Sequence, residues 1–241
     1  MAFACSTRWN DDPAPYDPNV LGPGMRLRDV QQRPDLVSQG VFVSSAVVTA
    51  VDNFDETNDG KSRGTIWLQD VDKADGFGGI SLFSPSFIPA NLRLAPGDVV
   101  DLNGQYVEQK TIGSTVNFDP AFLPQLVKPS VTFRYETKPP EPKVIPVTDL
   151  DTFTTGRKWI GQLVTVQNVT VAGAPSTDTK KTGRITAAFT ADKNSPVISN
   201  ELTPIAENAF PAGTTFKSVT GVVTFFFNLK IAPRSAADLV Q

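Results

Sequence analysis

Two stretches of this chain, 40–51 and 161–172, follow one pattern. Each opens on a glycine, runs through β-branched residues and brings a Val-Thr pair to the same offset, Val48-Thr49 and Val169-Thr170. Each is followed by a turn of Pro or Ala before Gly and then by a second strand punctuated by glycine, so the repeated unit is a whole small β-domain rather than a hairpin. A chain of 241 residues is long enough for two such units, each burying its own core. Apolar residues make up 40% and charged residues 20%, the balance of a folded protein rather than a disordered one.

In 41–51 both alternating faces are apolar or small, which suits a strand that curls and is shared between two faces of a barrel. The next strands are expected over 64–70 and 80–84, with Ile66, Leu68, Ile80 and Leu82 on the core side and Trp67 and Phe83 on the outer side. Prolines in 85–94 forbid a long helix there. The turn at Pro96-Gly97-Asp98 leads into a fourth strand, broken at Gly104 as a barrel corner or bulge requires, and the fifth strand is expected over 114–118.

The proline cluster at 138–143 predicts a semi-rigid extended spacer. Beyond it, a capped helical turn over 147–153 leads to the second glycine-led strand. Strands follow over 183–190, with Ile185, Ala187 and Phe189 inward and Arg184, Thr186 and Ala188 outward, and over 196–200. The fourth turns into the fifth at Asn228. Gly213 to Gly221 spans eight residues where Gly97 to Gly104 spans seven, an extra residue consistent with a bulge. The expected organisation is a flexible tether over 1–24, a first barrel over 25–136, a linker over 137–146 and a second barrel over 147–241.

Five strands with an irregular or short helical connection between the third and fourth resemble the oligonucleotide/oligosaccharide-binding fold, the OB-fold. The phrase from Leu94 to Gly104 and the stretch from Thr65 to Asp70 look like those of extracytoplasmic OB domains found in bacterial lipoproteins and beside secreted nucleases. The resemblance implies an all-β protein of two tandem five-stranded OB-like Greek-key barrels with short helical connections. Similarly, Ala4-Cys5-Ser6 resembles the cleavage region of a bacterial lipoprotein signal. That resemblance implies acylation of Cys5 and an extracytoplasmic location, in the periplasm or at the outer-membrane surface, with contact to the membrane only through that anchor.

Composition narrows the chemistry. The chain has no histidine, which removes Ser-His-Asp and Cys-His catalysis, histidine-bound zinc and the usual general base near neutral pH. Cys5 is the single cysteine, so the chain can form no internal disulfide and no thiolate zinc cluster. The 22 basic and 25 acidic side chains supply no global positive field, which disfavours nucleic acid without forbidding a local basic patch.

Trp67 and Phe83 are the sharpest ligand candidates, because strands two and three of an OB barrel are the usual binding face and aromatic rings stack bases or sugars there. Arg63 could add charge. The competing reading packs both rings against the other domain, the lead-in segment or the linker. Three consecutive phenylalanines, Phe225 to Phe227, place at least one off the core face, and Phe226 is a candidate for partner burial. The acidic stretches 52–59 and 70–75 could supply oxygen ligands to calcium, but Asp70, Asp72, Asp75 and Gly76 miss the spacing of a calcium loop, and the stretches read as solvated hairpin loops. No metal site, no cofactor and no catalytic residue is expected. The function this implies is a non-enzymatic binding or assembly module for a protein or polysaccharide partner in the cell envelope. The alternative is a single-stranded nucleic-acid binder using Arg63, Trp67, Phe83 and Arg184.

Overall fold

The structure, a computed structural model, describes residues 21–52, 65–72, 75–83, 93–110, 121–177, 185–189, 197–203, 209–226 and 228–241. Strands β1 (Gly40–Val51), β2 (Ile66–Asp70), β3 (Gly79–Phe83), β4 (Asp98–Lys110) and β5 (Phe122–Glu136) form a closed barrel in the order β1-β2-β3-β5-β4. Neighbours are antiparallel except β3 and β5, which run parallel. A closed five-stranded barrel of this kind is consistent with an OB-like fold.

β1 works on both sides of the barrel, pairing with β4 through Gly40 to Val47 and with β2 through Ala46 to Val51. Its register shifts between Val43 and Ala46, where Ser45 adopts φ +59°, a backbone conformation uncommon for a residue with a side chain. The Ser45 N–H donates to Asp101 Oδ1 at 3.0 Å, and Asp101 is held in turn by Arg134 at 2.9 Å. The residues from Val43 to Ala50 are buried, as an apolar pattern on both faces predicts. Ile66, Leu68, Ile80 and Leu82 all join the barrel core, with Leu102, Tyr106 and Leu126.

The bulge expected at Gly104 is present as a register shift between Asn103 and Gln105. The fifth strand is where the sequence misleads. The stretch 114–118 lies outside the described residues, and the strand that closes the barrel runs from Phe122 to Glu136. Pro124 and Pro129 conceal it, since proline argues against a central strand. Here Pro124 pairs opposite Glu108, and Pro129 packs against the bulge at Gly104.

The segment before the barrel is part of it from Gly22 onward. The Gly22 and Gly24 N–H groups donate to Ser45 Oγ and Ser44 Oγ at 3.0 Å each. Helix α1 (Leu27–Gln31) then places Leu27 and Val30 in the core. The start of α1 rests on Asp70, which accepts hydrogen bonds from the N–H groups of Leu27 at 2.7 Å and Arg28 at 3.2 Å, and from Arg28 Nη1 at 3.3 Å. Asp70 is fully buried, so the reading of 70–75 as a solvated loop fails at its first residue.

The second sheet contains β6 (Lys143–Val144), β7 (Leu163–Thr170), β8 (Ser176–Thr177), β9 (Ile185–Ala188), β10 (Val197–Ser199), β11 (Thr215–Phe226) and β12 (Asn228–Ala232), in the order β6-β7-β11-β12-β10-β9-β8. Strand β13 (Leu239–Val240) pairs with β11. From β7 to β9 the order of five strands parallels that of the barrel, with one parallel pair, β10 with β12, while β6 and β8 have no counterpart there. Among the described residues the sheet does not close. β9 and β10 span only four and three residues, and the link between the ends of β7 and β9 is the Ala172 N–H donating to Ala188 O at 2.9 Å.

The step from Gly213 to Gly221 carries no bulge, because β11 pairs with β7 in one continuous register. Gly221 serves close approach instead: a Cβ there would lie 2.6 Å from the Ala232 backbone. The end of the linker is also not free, since β6 adds in parallel to β7 and the Ile145 N–H donates to Thr165 O at 3.0 Å. Ala187 and Phe189 face the core as expected, with Phe210, Phe216, Phe225 and Leu229.

A candidate functional site between the two units

The candidate site is built from a short turn. Helix α2 (Phe153–Gly156) is capped by Thr152, whose Oγ1 accepts the Thr155 N–H at 3.2 Å, and it runs directly into a 3-10 turn over Arg157–Trp159. Asp149 anchors that turn twice, accepting from Trp159 Nε1 at 2.9 Å and pairing with Lys158 at 3.3 Å. Next comes Gly161 at φ +82°, crossing the backbone of Gly79. A Cβ on either glycine would overlap the other strand, so the crossing requires that neither residue has a side chain.

This crossing presses the β2–β3 hairpin of the first unit against the second. The Phe77 N–H donates to Lys158 O at 2.5 Å, and the Leu163 N–H donates to Gln69 Oε1 at 2.9 Å. Trp67 lies on the outer face of β2, as its alternation predicts, and is only 5% exposed because it joins Ala50 and Ala121 in the core of the second unit.

Arg157 reaches from the turn into the first unit. Its guanidinium lies 4.5 Å from the Phe122 ring centroid and 5.6 Å from that of Phe77. Nη2 donates to Glu108 Oε1 at 3.0 Å and to Gln31 O at 3.2 Å. Glu108 Oε1 also accepts from the Tyr106 hydroxyl at 3.1 Å, and burial together with the Glu108 carboxylate pushes the Tyr106 phenol well above its usual range, so it stays a donor. Phe122 is backed edge-on by Phe153 at 5.0 Å. Gln31 is fixed by its Nε2, which donates to the carbonyls of Phe77 and Gly79.

These groups surround a cavity of about 330 Å³ lined by Gln31, Pro34, Phe77, Glu108, Phe122 and Arg157. Two buried polar atoms on the lining residues, Gln31 Oε1 and Arg157 Nε, have no hydrogen-bond partner in the protein. The arrangement offers donors, acceptors, aromatic walls and one matched pair of charges. It is equipped to bind and orient a small polar group. Among the described residues no set of three His, Cys, Asp or Glu is disposed to hold a metal ion.

The residues singled out from sequence are not the ones that gather here. Trp67 is enclosed between the units rather than presented to solvent. Phe83 ends β3 and Phe226 ends β11, and both side chains lie outside the described part of the structure, as do Cys5, Arg63 and Arg184 entirely. Asp72, read as part of a loose acidic loop, is held by Arg28 through two contacts of 2.8 Å, which keep its carboxyl below the usual range. No periodicity links Gln31, Glu108, Phe122 and Arg157. Phe77, set among Gly76, Gly78 and Gly79, is the one member with a local sequence signal. No protein-family model matches the chain, and no curated protein matches it.

Proposed function

We propose that the chain is a non-enzymatic binding module of two OB-like units, the second opened at its β7–β9 seam, docked so that the cleft beside Arg157 receives part of a protein or polysaccharide partner. The observation that supports it is the cavity itself, which is lined by groups from both units. Nucleic acid is the weaker partner, because the cation at the cleft is already matched by Glu108 and the chain carries a net charge of −3. The setting proposed is the cell envelope, with the chain held there by acylation of Cys5.

The test is a photo-crosslinking amino acid at Gln32, an exposed position on the cavity lining, introduced into the full chain in its native cells. A covalent adduct with an envelope protein or polysaccharide is expected, and its absence removes the reading. Intact mass of the membrane fraction checks the anchor separately: a Cys5 without a diacylglycerol adduct is not the attachment point.

A further inference from the structure

We infer that Asn168 is the acceptor of an N-linked glycan. Asn168-Val169-Thr170 is the one Asn-X-Ser/Thr triplet in the chain, and its central residue is not proline. A triplet is only an address, and a regular strand held between two neighbours would hide it. Three features of β7 leave this one open.

The first is the backbone. Val166 and Val169 are both buried in the core of the second unit, although simple alternation would set residues three apart on opposite faces. Asn168 reconciles them at φ +52°, where the strand changes phase, so Gln167 and Asn168 are exposed side by side. The second is that, among the described residues, no hydrogen bond holds the Asn168 side chain. The third is the sheet around it. β11 lies on one side of β7, but on the other β6 pairs with Val164 and Thr165 alone, so among the described residues no strand runs beside 166–170. Thr170, also exposed, has its Oγ1 2.9 Å from Thr215 Oγ1 and supplies the hydroxyl that completes the triplet.

The chemistry is a glycosyl transfer made by a separate transferase from an activated donor, a sugar carried on a phosphate or pyrophosphate. Asn168 Nδ2 attacks the anomeric carbon. The new C–N bond forms as the anomeric C–O bond breaks, the phosphate leaves with the bonding pair, and a base of the transferase takes the amide proton. The competing account is conformational: asparagine tolerates left-handed backbone better than most residues with side chains, and the contact with Thr215 explains Thr170.

Mass separates the two accounts. The full chain is purified from its native cells, digested with trypsin, and the peptide spanning 159–180 is fragmented by electron transfer. A gain of whole sugar residues localised to Asn168 is expected. One or two hexoses assign the donor to the nucleotide-linked class, and a preassembled oligosaccharide to the lipid-linked class. Thr170→Val keeps the shape of the side chain and leaves Asn168 in place, yet should lose the gain, whereas Thr170→Ser should retain it. Asn168→Gly, at ease at positive φ, should lose it in a folded protein.

The inference is overturned if the peptide occurs only unmodified, if the gain lies on a hydroxyl residue, or if it survives Thr170→Val. None of these outcomes bears on the cleft beside Arg157, which the crosslink at Gln32 tests separately.

Discussion

Asp70 makes the stability of the first unit depend on pH in a direction opposite to that of most buried ion pairs. Its carboxyl is fully buried under α1, where two N–H groups and Arg28 donate to it. Those donors favour the anion, as does the charge of Arg28, while burial and the neighbouring Asp72 carboxylate favour the acid. Burial is the largest effect and raises the carboxyl from 3.8 to about 6. The folded state therefore holds this proton to higher pH than the unfolded chain does. The resulting stability is complete below about pH 4 and is lost as pH rises through about 6. At about 1.36 kcal/mol per pKa unit, the swing is about 3 kcal/mol.

Asp70→Asn removes the titration while keeping an oxygen for the Leu27 N–H. The assay is urea unfolding of both proteins at half-unit steps from pH 4 to pH 7. The unfolding free energy of the variant minus that of the parent should rise by about 2 kcal/mol across that range, the rest of the swing lying below pH 4, whatever constant offset the lost Arg28 contact adds. Asp72, held low by Arg28, titrates in both proteins and largely cancels. A flat difference, or one that falls as pH rises, would show that the three donors outweigh burial and would refute the reasoning.

The two glycines that open the repeated strands should respond differently to alanine. Gly161→Ala places a Cβ against Gly79 and Ile80 at positive φ and should cost on the order of 2–4 kcal/mol from strain and overpacking, whereas Gly40→Ala meets nothing within 4 Å and should be near neutral; equal melting temperatures for the two variants would contradict the crossing. Trp67→Ala should cost about 3–5 kcal/mol and speed protease cleavage within 137–146, and unchanged unfolding with unchanged cleavage would mean the ring is not enclosed between the units. Lys230 and Glu201, 5% and 8% exposed and 3.4 Å apart, form a buried ion pair: Lys230→Met alone should lose about 3–5 kcal/mol, while Lys230→Met with Glu201→Gln should recover most of it, and additive losses would dissolve the pair.

Strand positions and core faces were legible because they rest on local chemistry. Alternation put Ile66, Leu68, Ile80 and Leu82 inside, and Asn228, expected at the turn, is the first residue of β12, one position past the break after β11. Gly104 announced its bulge. Gly221 looked like its counterpart and serves instead the close packing of two backbones, a distinction invisible without knowing that Ala232 lies opposite. β5 was hidden because a strand that carries two prolines is recognisable only from the bulge and the partner that accommodate them. The cleft was not legible at all. Gln31, Glu108 and Arg157 are ordinary polar residues far apart in sequence, and the Gly79–Gly161 crossing is what brings them within hydrogen-bonding range. Trp67 was the instructive case: alternation placed it on the outer face, and the other unit then turned that face into an interior.

The open seam of the second sheet has a consequence for how the protein behaves in concentrated solution. A barrel has no unpaired edge, but an open sheet has two, and a long bare edge is a template on which another chain can add a strand. Among the described residues the end strands are β6 and β8, each only two residues long, and β6 pairs with Val164 and Thr165 alone, so β7 from Val166 to Thr170 pairs with no strand on its seam side. An incoming strand would add there, and the stretch is a poor template because Asn168 at φ +52° breaks its extended run and Gln167, Asn168 and Thr170 are exposed polar residues. A variant that replaced Asn168 by a β-branched residue favouring extended backbone would put that protection at risk.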